Sequence, residues 1–154
     1  MPPEDLTVEL LDLATAIARE AGRMLVDERP EVLQTSHKSS PTDVVTEMDR
    51  ASEALLVDRI LSRRPDDGVL GEEGGERRGT SGVRWILDPI DGTTNYLYGL
   101  PVWAVSVAAE VDGTVCAGVV EAPALRRRYV AASGLGSWEE YGEQRRPLTV
   151  SSCA

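Results

Sequence analysis

The sequence predicts an α+β fold: two helices followed by a mostly antiparallel sheet. Three observations carry that prediction. Apolar residues recur at spacings of three and four in two stretches before Pro65. Beyond Val102 they alternate with period two. Between two such alternating runs lies Asp112-Gly113, a strong hairpin signal.

The first helix is expected from Thr7 to Glu28. Leu10, Leu13, Ala14, Ile17, Ala18, Ala21, Met24 and Leu25 form its apolar stripe, Thr7 reads as its cap, and Pro30 ends it. Ser36 to Asp43 is a polar loop, and Val44-Val45 is briefly extended. Thr46 then caps a second helix reaching about Arg64, with Met48, Ala51 and Leu55, and neighbouring Ala54, Val57 and Leu61, as its apolar face. Pro65-Asp66-Asp67-Gly68 is a turn into a short strand, Val69-Leu70. Gly71-Glu72-Glu73-Gly74-Gly75 follows, and Arg77 to Gly82 reads as a mobile loop. Val83 to Leu87 is a strand ending at Asp88. Val102 to Val111 is a second, presenting Val105, Val107, Ala109 and Val111, and Thr114 to Val120 returns as its partner. Arg128–Ala132 and Leu148–Ser151 are expected as further strands. No repeat or linker divides the 154 residues, which suit one domain.

The formal net charge is −10. Nucleic-acid binding depends on Lys and Arg displacing counterions from phosphates, so this balance argues against it. It argues equally against docking on an anionic membrane. Residues 1–77 hold 18 Asp and Glu against 9 Lys and Arg, so the acid is concentrated in the first half. Phe is absent, and the core must be aliphatic, built from Val, Leu and Ala. Cys116 and Cys153 form neither a disulfide framework nor a zinc spacing. Met1-Pro2-Pro3-Glu4-Asp5 does not open a signal peptide, and no apolar run approaches the ~20 residues of a membrane span. A cytoplasmic location is expected.

The chemistry concentrates in Trp85-Ile86-Leu87-Asp88-Pro89-Ile90-Asp91-Gly92-Thr93-Thr94-Asn95. An apolar strand delivers Asp88 and Asp91 at its carboxyl end, and Pro89 between them favours a turn that aims both at one point. Adjacent carboxylates repel unless a cation lies between them, and hard oxygen donors suit Mg²⁺. Gly92-Thr93-Thr94 then opens a short helix, whose free N–H groups and dipole favour phosphate. The plainer alternative is an Asp-rich turn with Thr93 as a helix cap. Against it, a strand that reads as buried has no structural need to end in two carboxylates. Glu72 and Glu73, bracketed by Gly71 and Gly74, are either solvated or a second set of cation ligands. Asp49 lies in the first turn of the second helix, where the dipole alone would justify it; the sharper reading makes it one end of a relay polarising a water. Lys38 is a surface lysine or a phosphate contact. His37 and Arg126-Arg127-Arg128 read as solvated.

Lys38-Ser39-Ser40-Pro41-Thr42-Asp43, Val45-Thr46-Glu47-Met48-Asp49, Gly71-Glu72-Glu73, the Trp85–Asn95 run and Tyr98-Gly99-Leu100-Pro101-Val102-Trp103-Ala104-Val105-Ser106 occur in this order. Together they resemble the inositol monophosphatase family, most closely its bacterial branch. The resemblance implies a layered αβαβα sandwich related to fructose-1,6-bisphosphatase, of which residues 1–154 supply the first αβ half. It also implies Mg²⁺-dependent, Li⁺-sensitive hydrolysis of a phosphorylated polyol, foremost inositol 1-phosphate, by a homodimer in full-length form. Carried over by position, Glu72, Asp88, Asp91 and the Ile90 carbonyl would bind metal, with Glu73 in support. Gly92, Thr93 and Thr94 would hold the phosphate, with Lys38 in support; Glu72, Ile90 and Asp91 would border the substrate. Thr93 with Asp49 would position and deprotonate the attacking water, and Glu72 joins them as catalytic.

The family's second half carries a Trp-Asp-x-Ala-x-Gly-type motif that completes a second metal site. This sequence has none; Trp138, its last tryptophan, precedes Glu139. An incomplete metal- and phosphate-binding remnant is therefore the alternative expectation, with an apolar sheet face left bare. Histidinol phosphate, fructose bisphosphate and nucleotide 3′-phosphates stay open as substrates. Phosphatases that form a phospho-aspartate need Asp-x-Asp, and the spacing here is three.

Overall fold

The computed structural model describes residues 2–37 and 44–151. Helix α1, Glu4–Asp27, starts a turn before the expected cap. Pro3 is its N-cap, and Glu4 and Asp5 meet the positive end of the helix dipole. Thr7 lies inside the helix, buried, its hydroxyl donating to the Pro3 carbonyl at 3.2 Å. Strands β1 (Thr35–His37) and β2 (Val44–Thr46) pair antiparallel, so Ser36 and His37 are ladder residues and not loop. Lys38 to Asp43 lie outside the described residues, as does Cys153.

Helix α2, Glu47–Arg63, begins where Thr46 predicts. Thr46 and Asp49 form a reciprocal capping box, which satisfies backbone N–H groups that the first turn cannot. The buried face differs from the expected one. It is Met48, Asp49, Ser52, Glu53, Leu56 and Ile60, while Ala51 and Ala54 are exposed and Leu55, Val57 and Leu61 are half-buried. The helix is rotated because three polar side chains on this face find hydrogen-bond partners beneath it, and so are buried without being left unsatisfied.

The main sheet has eight strands in the order β10-β9-β8-β7-β6-β5-β3-β4. They are β3 (Gly68–Gly71), β4 (Gly75–Arg77), β5 (Val83–Asp91), β6 (Ala104–Val111), β7 (Thr114–Ala122), β8 (Arg127–Ala132), β9 (Gly136–Tyr141) and β10 (Gln144–Pro147). Only β3 and β5 run parallel; every other neighbouring pair is antiparallel. The β6–β7 hairpin turns at Asp112 (φ 49°) and Gly113 (φ 81°), the double positive φ of a tight hairpin. Val102 is exposed and precedes β6.

Two further expectations are corrected. Residues 148–151 are not a strand; β9 and β10 form the last hairpin instead. The β7–β10 end of the sheet is held by charge more than by apolar alternation. Arg128 bonds both Glu121 (2.5 Å) and Glu140 (2.9 Å), Arg127 pairs with Glu139, and the Arg145 guanidinium lies 3.6 Å over the Trp138 ring. Arg127 and Arg128 are thus cross-strand partners and not merely solvated. The segment Arg77–Gly82 is also built in. Arg77 closes β4, the Thr80 and Ser81 N–H groups donate to the Asp66 carbonyl, and Ser81 Oγ donates to Asp67 at 2.6 Å.

Helices α1 and α2 cover one face of the sheet. Leu10, Ala14, Ile17, Ala21 and Leu25 meet Trp85, Val105, Val107, Ala109, Val119 and Val130 there. The opposite face presents Ser106, Ala108, Gly118, Val120, Tyr129 and Ala131, around a shallow apolar depression of about 300 Å³. This is one αβ layer pair of the expected sandwich. Among the described residues no helix is long and apolar enough to cross a membrane.

Candidate functional site

β5 runs past Leu87 to Asp91, and its pairing with β6 shifts register between Asp88 and Asp91. Such an irregularity re-aims side chains at a strand end. Asp88 is left half-buried and Asp91 exposed. Gly92 then takes φ 89°, a conformation that favours glycine, and an added Cβ would meet the Val102 carbonyl at 3.0 Å. This turn starts helix α3, Thr93–Leu97. Tyr96 holds α3 down: it is buried, donates to the Leu25 carbonyl at 2.8 Å, and stacks edge-on against Trp103 at 4.9 Å. Arg29 Nη2 bonds the Tyr96 carbonyl at the other end of α3.

Asp49 and Thr93, which the resemblance pairs, lie in direct contact. Asp49 is only 2% exposed. Its Oδ2 accepts from the Thr46 N–H (2.8 Å) and hydroxyl (2.6 Å), and its Oδ1 accepts from Thr93 Oγ1 at 2.8 Å. The Thr93 hydroxyl also lies 3.0 Å from the Ile90 carbonyl. Since Thr93 gives its one proton inward, its lone pairs are free to accept from a group outside.

Asp88, Glu72 and Asp91 form an electrostatic unit. Asp88 Oδ1 is buried without a hydrogen-bond partner among the described residues. Burial pushes the Asp88 carboxyl up to about 7, helped by the charge and hydrogen bond of Glu72 and by the charge of Asp91. Glu72 is exposed on the turn between β3 and β4. Among the described residues no three His, Cys, Asp or Glu side chains already converge as a ligand cage. Asp88 and Glu72 are instead joined by a side-chain hydrogen bond. An orphaned carboxylate oxygen beside two other carboxylates nevertheless suits a hard divalent ion. Of the remaining expected residues, Thr94 is exposed in the first turn of α3, Glu73 contributes its N–H to a buried contact, and Lys38 lies outside the described residues.

Sequence reading missed two residues. Ser52 Oγ donates to the Pro89 carbonyl at 3.1 Å, fixing the turn between the two aspartates. Glu53, 5% exposed, accepts from the Glu73 N–H (2.7 Å) and the Gly74 N–H (2.5 Å). Their signal was position: Ser52 and Glu53 follow Asp49 by three and four residues, on one helical face. α2 thereby touches both the Glu72-Glu73 turn and the Asp88–Thr93 run.

Comparison with known proteins bears on the family and the fold. Residues 7–154 match the inositol monophosphatase family. An inositol-1-monophosphatase of Mycobacterium leprae is 43% identical over 92% of this chain and 55% of its own length. A histidinol-phosphatase of Mycobacterium tuberculosis is 48% identical over 71% of this chain and 43% of its own. The crystal structure of the extragenic suppressor protein SuhB of Bartonella henselae superposes with a TM-score of 0.84 at 36% identity, over 94% of this chain and 55% of that one. The chain thus spans about half the length of the relatives it matches. Fold, motif order and sequence agree, and the chain belongs to the inositol monophosphatase family.

Proposed function

We propose that the protein containing this chain hydrolyses a phosphate monoester with the help of Mg²⁺, and that inositol 1-phosphate is its substrate. The observation that carries this is the Asp49–Thr93 hydrogen bond, set beside a carboxylate with a buried orphan oxygen. Asp88, Asp91, Glu72 and the Ile90 carbonyl would hold the metal, with Glu73 in support. A bound Mg²⁺ would supply Lewis-acid stabilisation of the phosphoryl oxygens and acidify a water. The chain's own residues do the rest. Thr93 accepts a hydrogen bond from the attacking water while donating to Asp49, so proton transfer along this line ends on the Asp49 carboxylate. Gly92 lets the first turn of α3 approach closely, and the N–H groups of Thr93 and Thr94, which lack intrahelical acceptors, face the phosphate. Lys38, outside the described residues, would support the phosphate as the resemblance implies. No covalent enzyme intermediate is needed.

The proposal includes Li⁺ sensitivity, a cytoplasmic setting, a homodimeric full-length protein and no nucleic-acid or membrane partner. The test is phosphate release with Mg²⁺ from inositol 1-phosphate, histidinol phosphate, fructose bisphosphate and a nucleotide 3′-phosphate. Turnover of inositol 1-phosphate above the others supports the assignment. Preference for histidinol phosphate, the substrate class in one relative's name, replaces the substrate and keeps the chemistry. Metal and phosphate binding with no turnover of any ester favours the second reading, a binding remnant; the partial coverage of the relatives is its motive.

A further inference from the structure

We propose that Glu53 is a positioning residue: its buried carboxylate clamps the β3–β4 turn so that Glu72 stays beside Asp88. The inference rests on the cation-site reading above.

The clamp has four parts. Glu53 Oε2 accepts from the Glu73 N–H and Oε1 from the Gly74 N–H, one oxygen for each donor. A Cβ on Gly71 would sit 2.6 Å from Oε2, and one on Gly74 would sit 2.7 Å from Oε1. Neither glycine has a left-handed φ, whereas Gly75 does, at 76°. Gly75 therefore serves the turn, and Gly71 and Gly74 leave room for the carboxylate. Finally, Glu53 has no ion-pair partner among the described residues, although it is almost fully buried. Burying a carboxylate without a cation is costly, and only its hydrogen bonds offset that cost. A carboxamide cannot replace it, since its NH₂ would face one of the two N–H donors.

Glu53 lies one turn beyond Asp49 on the same face of α2. The helix that holds the proton acceptor for Thr93 thus also sets the height of the turn bearing Glu72. Glu72 is exposed and stands on the turn that Glu53 holds, so loosening that turn shifts its place beside Asp88.

The test is Mn²⁺ binding to the 154-residue chain, followed by electron paramagnetic resonance. Thermal melting without metal and amide exchange at Glu73 and Gly74 accompany it. Outer-shell partners of metal ligands typically contribute about ten- to a hundredfold in affinity. Glu53→Gln is expected to weaken Mn²⁺ binding by about that factor and to speed exchange at both amides. Gly74→Ala keeps the charge but wedges the carboxylate away, and is expected to do the same. The double variant should be no worse than either single one, because both break one unit. Glu53→Asp keeps the charge and the fold if Gln does not, and should also weaken binding. If Asp88→Asn abolishes binding while the Glu53 variants and Gly74→Ala stay within twofold of the parent, the positioning role is overturned and the cation site stands. If only Glu53→Gln weakens binding, the effect is that of charge, and positioning is again overturned. If the parent chain binds no Mn²⁺, or Asp88→Asn binds as well as the parent, the cation site falls and the inference with it.

Discussion

The single proton of the Thr93 hydroxyl lies between Asp49 Oδ1 and Ile90 O, 2.8 and 3.0 Å away. On the proposed relay, Thr93→Ala removes both the acceptor for water and the link to Asp49, so phosphate release by the protein containing this chain should fall by about 10²–10⁴-fold. Thr93→Ser keeps the hydroxyl and should retain most of the rate; equal losses would refute the relay. Asp88 governs a pH effect of unusual sign. Its folded-state pKa is raised to about 7 from an ordinary 3.8, so between these values the folded chain holds the extra proton. Stability of the metal-free chain should therefore decline as pH rises from about 4 to 7, and Asp88→Asn should remove that part of the slope. Mg²⁺ should raise the melting temperature more at pH 8 than at pH 5, since proton and cation compete for one carboxylate. A melting profile identical in parent and variant would refute this. Asp88, Asp91, Gly92 and Thr93 are legible because they lie in one short run. The Asp49–Thr93 contact spans 44 positions and was visible only through the family resemblance. Glu53 was invisible, because a glutamate on a helix ordinarily faces water.

Secondary elements were legible where one face is apolar and the other polar. α1, β6 and β7 have that pattern, and the Asp112-Gly113 turn fixes the register of the hairpin. α2 misled because its inward face carries Asp49, Ser52 and Glu53, so the exposed alanines looked like core. β9 and β10 misled because arginine–glutamate pairs replace apolar alternation there, Arg127 and Arg128 of β8 and Arg146 of β10 meeting the glutamates of β9. Asp67 shows the same principle in the connection from α2 to β5. It is 1% exposed and accepts from Arg64 Nε (2.5 Å), Ser81 Oγ (2.6 Å) and Trp85 Nε1 (2.9 Å). Asp67→Ala would leave a buried indole N–H without its acceptor and strip the largely buried Arg64 guanidinium of its buried partner, leaving it only the exposed Glu9. The expected loss is about 3–5 kcal/mol in urea unfolding. Asp66→Ala beside it should cost little, because the contacts of Asp66 to the 80–81 segment run through its backbone carbonyl.

For the molecule as a whole, the α+β class and the helix-covered face follow from period and composition. The bare face was expected only through the resemblance, since Val120, Tyr129 and Ala131 read as ordinary outward positions of strands. With Ala108 and Gly118 they leave an apolar surface open to solvent, and such surfaces recruit a partner. Sedimentation velocity on the 154-residue chain should show association that rises with concentration, and Val120→Glu should reduce it. The two edges of the sheet behave differently. β4 is three residues long and fully exposed, and β10 ends in Arg145, Arg146 and Pro147, the last with no N–H to offer a neighbour. Short, charged and proline-blocked edges refuse another strand. Copies of this chain should therefore form small, finite clusters that bind no amyloid dye, because a face that stacks is used up by one neighbour, whereas an open edge would be renewed by every strand added.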